Sequence, residues 1–263
     1  MSTHLLKMGF TAGVRGGLIS GKITPISPAT QRVRIMTFSL ENVVPWGRTL
    51  SEYRAMFALT DADLTRCILG CGDGPASFNA EAHAIGTVVV SCDPIYQFSA
   101  AEIEARVRDT YDKVIQGVKD NMHQFVWKHY ESPDALGEIR LWAMRGFLAD
   151  YQSKDAVGRY ITAELPTLPF DDACFDLALC SHFLFLYSDH FDAAFHLASV
   201  KELCRVAKEV RIFPLLGLDA QPSPHLESVT AALITEGYQV EQIRVDYEFQ
   251  VGGNHYLRVR HGS

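Results

Sequence analysis

A chain of 263 residues, 48% hydrophobic and 21% charged, carries enough apolar material for one packed domain with an insertion and too much for wholesale disorder. Its formal charge of −7 repels a phosphate backbone, so nucleic acid is not an expected partner. No apolar run nears the roughly eighteen residues of a membrane span, so no membrane partner is expected either.

Residues 1–35 are glycine-rich and lack both periodicity and the apolar centre of a signal peptide. They read as a poorly ordered segment ahead of a domain over residues 36–263, with Met36 as an alternative start. The six cysteines, at 67, 71, 92, 174, 180 and 204, form no CxxC pair, and HExxH is absent. They read as small hydrophobes in a reducing cytoplasm, and no metal site is expected.

The first strand expected is "TRCIL" (65–69), followed by a glycine loop and a helix "PASFNAEAHA" beginning at Pro75. The β-branched run "TVVVSCD" (87–93) is the second strand. A capping box at Ser99 and Glu102 opens a helix with apolar residues at near-3.6 spacing to about Tyr130. Ser132-Pro133 caps another through Phe147. Residues 99–153 therefore form a helical insertion between strands 2 and 3, a lid or a homodimer face.

Strands resume at "GRYITAE" (158–164) and "CFDLALCS" (174–181). A helix over Asp189–Ala207, the strand "EVRIFPL" (209–215) and a helix over residues 223–237 follow. The last segment alternates apolar and polar residues about Gly252-Gly253-Asn254, the pattern of a β-hairpin. The order implies an α/β, Rossmann-like, doubly wound sheet, mostly parallel, with a C-terminal antiparallel hairpin.

In "RCILGCGDGPASFNAE" the glycines fall at 70, 72 and 74, with Pro75 where a dinucleotide loop would keep its last glycine. Asp73 would oppose a pyrophosphate at the following helix end. S-adenosylmethionine has no phosphate and presents an ammonium, a sulfonium and a ribose diol, all compatible with nearby carboxylates. Aspartate is also common in turns for its own backbone hydrogen bonds. Asp93 ends the second strand, where an acid can accept hydrogen bonds from a ribose diol of either ligand class. Tyr96 and Phe98, just beyond it, are stacking faces for adenine or core residues.

Taken together, "CILGCGDG", "VVVSCDP" and "AELPTLPFDDACFDLALCSHFLFLY" resemble the class I S-adenosylmethionine-dependent methyltransferase family. The resemblance covers roughly residues 64–93 and 158–207 and implies a seven-stranded sheet ending in a hairpin, with S-adenosyl-L-methionine as cofactor. By position it implies that Gly70, Gly72 and Gly74 line the methionine part and that Asp93 holds the ribose. Glu164 would lie by the adenine, with Ser181 and His182 beside the reaction centre. Cys71, Pro94 and Leu165 adjoin these positions and complete the strand-end set. An acid usual two residues before the first glycine is Ile68 here, so Asp73 is the candidate for part of its role.

The segment before strand 1 often folds over the cofactor in that family, which makes Arg48 a candidate for the cofactor's carboxylate, with Trp46 and Tyr53 closing the pocket. The competing reading is an amphipathic helix with a surface arginine. His182 is the candidate base by position, or a packing histidine. The Asn/Asp-Pro-Pro-Tyr/Phe signature of amino-methylating branches is missing after strand 4, so the expected acceptor is a small molecule. The competing functions are an NAD(P)-dependent oxidoreductase and a non-catalytic S-adenosylmethionine-binding module.

Overall fold

The computed structural model describes residues 44–262; the segment 1–35, the alternative start at Met36 and residues 41–43 lie outside the described residues. Seven strands form one sheet in the order β3-β2-β1-β4-β5-β7-β6. They are β1 (Ile68–Cys71), β2 (Val89–Cys92), β3 (Tyr160–Ile161), β4 (Leu177–Ser181), β5 (Glu209–Phe213), β6 (Tyr238–Arg244) and β7 (His255–His261). Pairings among the first five are parallel, while β7 lies antiparallel to both β5 and β6. This is the sheet that the strand order in the sequence implies.

The sheet is covered on both faces, which is why its central strands read as unbroken apolar runs. On one face Leu69, Ala178, Val210 and Leu257 pack with α5 (Ala193–Val206) and α6 (Leu226–Thr235). On the other, Ile68, Leu177, Leu179 and Phe213 meet α1 (Leu50–Phe57) and α2 (Phe78–Ala84). The insertion contributes α3 (Ala100–Asp120) and α4 (Pro133–Tyr151), whose Ile103, Val107, Met144 and Phe147 make a separate cluster with Tyr96. Both ends start where the sequence signals them: Ser99 and Glu102 form a reciprocal capping box, and Ser132 accepts from the Ala135 N–H ahead of Pro133.

Several boundaries differ from the sequence reading. Strand β1 begins three residues later than "TRCIL", because Asp63–Thr65 make a helical turn around the Asp63 carboxylate, which accepts from Thr60 and Arg211. Gly70 and Cys71 consequently belong to the strand, and the loop starts at Gly72. Helix α2 starts at Phe78 and not at Pro75, whose carbonyl lies against Gly47. Helix α3 stops at Asp120, where Asn121 leaves helical geometry and its side chain caps the Gly117 carbonyl at 2.9 Å. The following strap pairs with the far end of the chain: Val126 N–H donates to the Phe249 carbonyl (2.6 Å), and Val251 N–H to the Gln124 carbonyl (2.8 Å).

Helix α5 begins after its cap, Asp192, because residues 182–191 wind into turns with positive φ at His182 and Phe185. The terminal hairpin is not tight. Residues 245–254 make a long connection instead of a turn at Gly252-Gly253-Asn254, and Glu248 holds its far end by accepting from the Gly252 N–H and the Asn254 amide.

Candidate functional site

The parallel strands end together at a cavity of about 1020 Å³, large for a single small ligand. Arg48, Cys71, Gly72, Asp73, Gly74, Asp93, Pro94, Glu164, Leu165, Ser181 and His182 all line it. Gly70 does not: it lies one step down β1, beneath the loop.

The charge in the glycine loop faces inward. Asp73 is 6% exposed, and its two oxygens accept from Tyr53 OH at 2.7 Å and Ser91 Oγ at 2.6 Å. A methyl group built on Gly70 would overlap that carboxylate, so the first glycine exists to seat Asp73. Gly72 and Gly74 have φ of +70° and +55°, the left-handed region that admits glycine without strain. Burial pushes the Asp73 carboxyl up to about 7, the two hydroxyl donors only partly opposing it, and neighbouring Asp93 adds to the rise. Gly70→Ala is expected to cost roughly 1–3 kcal/mol by forcing this loop apart, read as a lower melting temperature. An unchanged melting temperature would show that the carboxylate swings aside freely.

Asp93 ends β2 facing the cavity. Its Oδ2 accepts from the Gly74 N–H at 2.9 Å and its Oδ1 from the Ile95 N–H at 2.8 Å. Burial raises it to about 6 against those two donors, and each oxygen keeps a lone pair for a further donor. Of the two aromatics beyond, Tyr96 is buried, donates to the Gly74 carbonyl at 2.8 Å and packs on Phe147. It supports the loop from below. Phe98 does line the cavity, with the Arg106 guanidinium 3.9 Å over its ring.

Arg48 is not a surface arginine. It lines the cavity one residue ahead of the Thr49 cap of α1, bonded through Nη1 to the Trp46 carbonyl at 3.2 Å, while its buried Nε has no partner. Burial and the neighbouring Arg140 lower its pKa, though a guanidinium keeps its charge. Under it, Arg140 of α4 grips Glu52 with contacts of 2.6 and 2.7 Å, and the Tyr130 hydroxyl donates to Glu52 at 2.5 Å. Burial alone would raise the Glu52 carboxyl, but Arg140, Arg48 and Tyr130 overcome it and hold it at about 2. Two guanidinium charges thus share one carboxylate, leaving positive charge at the cavity wall.

His182 follows β4 with φ +54°, its N–H donating to the Phe213 carbonyl at 2.6 Å and its Nδ1 lying 2.9 Å from Ser181 Oγ. Burial first, then Arg48 and Arg140, hold its pKa well below the ordinary value, so the ring is neutral at pH 7. An off-pattern backbone at a cavity wall is a common mark of a functional position. Among the described residues no group of His, Cys, Asp and Glu is arranged to hold a metal ion. None of the described helices is long and apolar enough to cross a membrane.

Sequence reading missed the Glu52–Arg140–Tyr130 network, although the Thr49–Glu52 capping box was there to see. It also missed the aromatic wall contributed by Tyr247 and Phe249, since alternation alone placed them in a hairpin.

No family model matches the chain. A protein of Methanocaldococcus jannaschii, designated MJ0045 and described as uncharacterised, is 33% identical over 225 residues, 84% of this chain and 98% of that protein. Among solved structures, magnesium protoporphyrin IX methyltransferase from Synechocystis, with bound S-adenosylmethionine, is 13% identical over 81% of this chain and 78% of its own, with a TM-score of 0.42. An S-adenosylmethionine-dependent methyltransferase from Aquifex aeolicus is 15% identical over 80% of this chain and 94% of its own, with a TM-score of 0.39.

Proposed function

Since the chain belongs to the same family as the Methanocaldococcus jannaschii protein MJ0045, what the site can do has to be argued from its own residues, and we propose that it binds S-adenosylmethionine and transfers a methyl group to a small molecule. The observation that carries this reading is the charge layout of one cavity: an arginine with an orphaned buried Nε on one side, and on the other two carboxylates held by neutral hydroxyl and backbone N–H donors. A ligand with one carboxylate, a positive amino–sulfonium end and a neutral diol fits that layout. A dinucleotide diphosphate does not, because Asp73 sets a buried carboxyl in the very loop that would have to hold that anion.

In this reading Arg48 takes the ligand's carboxylate, and Asp93 accepts from the ribose hydroxyls with the lone pairs its backbone donors leave. Glu164 and Leu165 border the adenine, Gly72 and Gly74 let the backbone come close, and Cys71 and Pro94 complete the walls. Asp73, bonded to Tyr53 and Ser91, acts more through field than through contact. The bound cofactor supplies an electrophilic methyl carbon on a positively charged sulfur. The chain's own part is to hold an acceptor in line, exclude water and accept its proton. His182, neutral and tied to Ser181 through Nδ1, has Nε2 for that proton. The helical insertion, joined to the 245–254 connection by its strap, acts as cover for the site.

Titration calorimetry with S-adenosylmethionine, S-adenosylhomocysteine and NAD tests the reading. Binding of the two sulfur compounds and not NAD is expected, and the reverse would make the protein an oxidoreductase. Transfer of a labelled methyl group into small-molecule extract separates an enzyme from a binding module. His182→Ala is expected to slow turnover roughly 10²–10⁴-fold while leaving cofactor affinity within about twofold. A normal rate would reduce His182 to a packing residue.

A further inference from the structure

The glycine loop, Asp93, Glu164 and Arg48 account for only part of the cavity. The remainder lies between α3 and the C-terminal part of the sheet, and its walls are apolar. Phe213 ends β5 and Pro214 follows it, Tyr247 and Phe249 come from the 245–254 connection, and Val118 and Phe125 come from the end of α3 and the strap behind it. Ring faces dominate. His182 sits 5.4 Å from Phe213, Phe213 sits 5.9 Å from Tyr247, and Phe249 stacks on Phe125 at 4.8 Å. The charged lining side chains on this side, Arg106, Asp109 and Lys113, belong to the exposed face of α3 at the mouth, and the Gln250 amide there is spent on the Gly217 carbonyl at 2.8 Å.

We propose, on the basis of the methyl-transfer reading, that this half of the cavity binds an aromatic hydroxy compound, its apolar ring body against Phe213, Phe249 and Phe125 and its hydroxyl at His182. Planar rings gain most from walls of this kind, through area and through offset or edge contacts. Two features select an acidic hydroxyl over an amine. The charged groups that bear on His182 are Arg48 and Arg140, so even with Arg48 paired to the cofactor's carboxylate an ammonium placed there meets a cation and no anion. The lining carboxylates are Asp73, Asp93, Asp109 and Glu164, and none lies on β5 or on the 245–254 connection. A phenolic hydroxyl ionises near pH 10, far more readily than an aliphatic alcohol, and so suits a buried imidazole of low basicity.

The transfer balances without another reactant. The carbon–sulfur bond of the sulfonium breaks with its electron pair passing to sulfur, the carbon–oxygen bond forms, and the phenolic proton goes to His182 Nε2. The products are an aryl methyl ether, a neutral thioether and an imidazolium that releases its proton to solvent.

The test is calorimetry at neutral pH on the whole protein saturated with S-adenosylhomocysteine, using 2-naphthol, 4-hydroxybiphenyl and the protonated amine 2-naphthylmethylamine as probes. At least one hydroxy compound is expected to bind about tenfold or more tightly than the amine. Phe249→Ala and Phe125→Ala are each expected to weaken that binding about tenfold, with S-adenosylhomocysteine affinity retained as the check on folding. Should S-adenosylhomocysteine bind while both hydroxy compounds fail, or the amine bind better, the acceptor assignment is overturned and methyl transfer survives. Naphthol binding insensitive to both phenylalanine variants also overturns it. Failure of S-adenosylhomocysteine itself to bind overturns the methyl-transfer reading, and this inference with it.

Discussion

Replacing Glu52 by glutamine is expected to lower the unfolding free energy by roughly 3–5 kcal/mol, the usual cost of breaking a buried pair from one side. The substitution keeps shape and most hydrogen-bonding capacity but leaves Arg140, 1% exposed, and Arg48 as two neighbouring cations with nothing between them. For a domain of this size the melting temperature should fall by roughly 6–20 °C, measurable by scanning calorimetry. A fall of only a degree or two would mean that the two arginines are far better solvated than their surroundings imply. The same pair sets acid sensitivity. A carboxyl held at about 2 when folded contributes stability above its unfolded value, and that contribution is lost as pH falls from about 4.5 towards 2.

Asp93→Ala should weaken S-adenosylmethionine binding by roughly tenfold or more, through the loss of hydrogen bonds to a charged acceptor worth about 1.5–3 kcal/mol. Asp93 also clamps the Gly74 and Ile95 N–H groups, so the loop should loosen as well. Isothermal titration reads the first effect and hydrogen exchange at those amides the second. Unchanged affinity would mean another acid holds the ribose. A pH dependence accompanies it, with opposite signs for ligand and fold. Asp73 and Asp93 are raised to about 7 and about 6, so the folded, ligand-free protein holds protons that the unfolded chain releases near pH 4. Its stability should therefore decline as pH rises from about 4 to 7. Binding of a cationic ligand should strengthen over the upper part of that range, as both acids ionise. The half-buried Asp93 contributes less than the enclosed Asp73.

Much of the architecture was legible because it rests on short-range signals. The capping boxes, the β-branched run 87–93 and the fully apolar "LALC" of β4 report local geometry and burial directly. The glycine loop and Asp93 were legible for a similar reason, since close backbone approach and a strand-end acid leave residue-type marks. What stayed hidden depends on partners distant in sequence. Arg140 meets Glu52 across 88 positions, and nothing near either residue announces the other. Nor could spacing show that Asp73 would turn inward to Ser91 and Tyr53, because an aspartate in a turn has the same local pattern whichever way it faces. Helix α3 was overextended for a related reason: the apolar spacing continues past Asp120, but Phe125 answers to Phe249, not to its own helix.

Strand β7 is wedged between β5 and β6 instead of lying at the rim. Without β7 the β6 strand has no neighbour in the sheet, and the 245–254 connection that walls the cavity keeps its bonds to the strap but loses the strand it leads into. Pairing of β7 is therefore the event that closes the sheet, and loss of that one strand would leave an open seam beside β5.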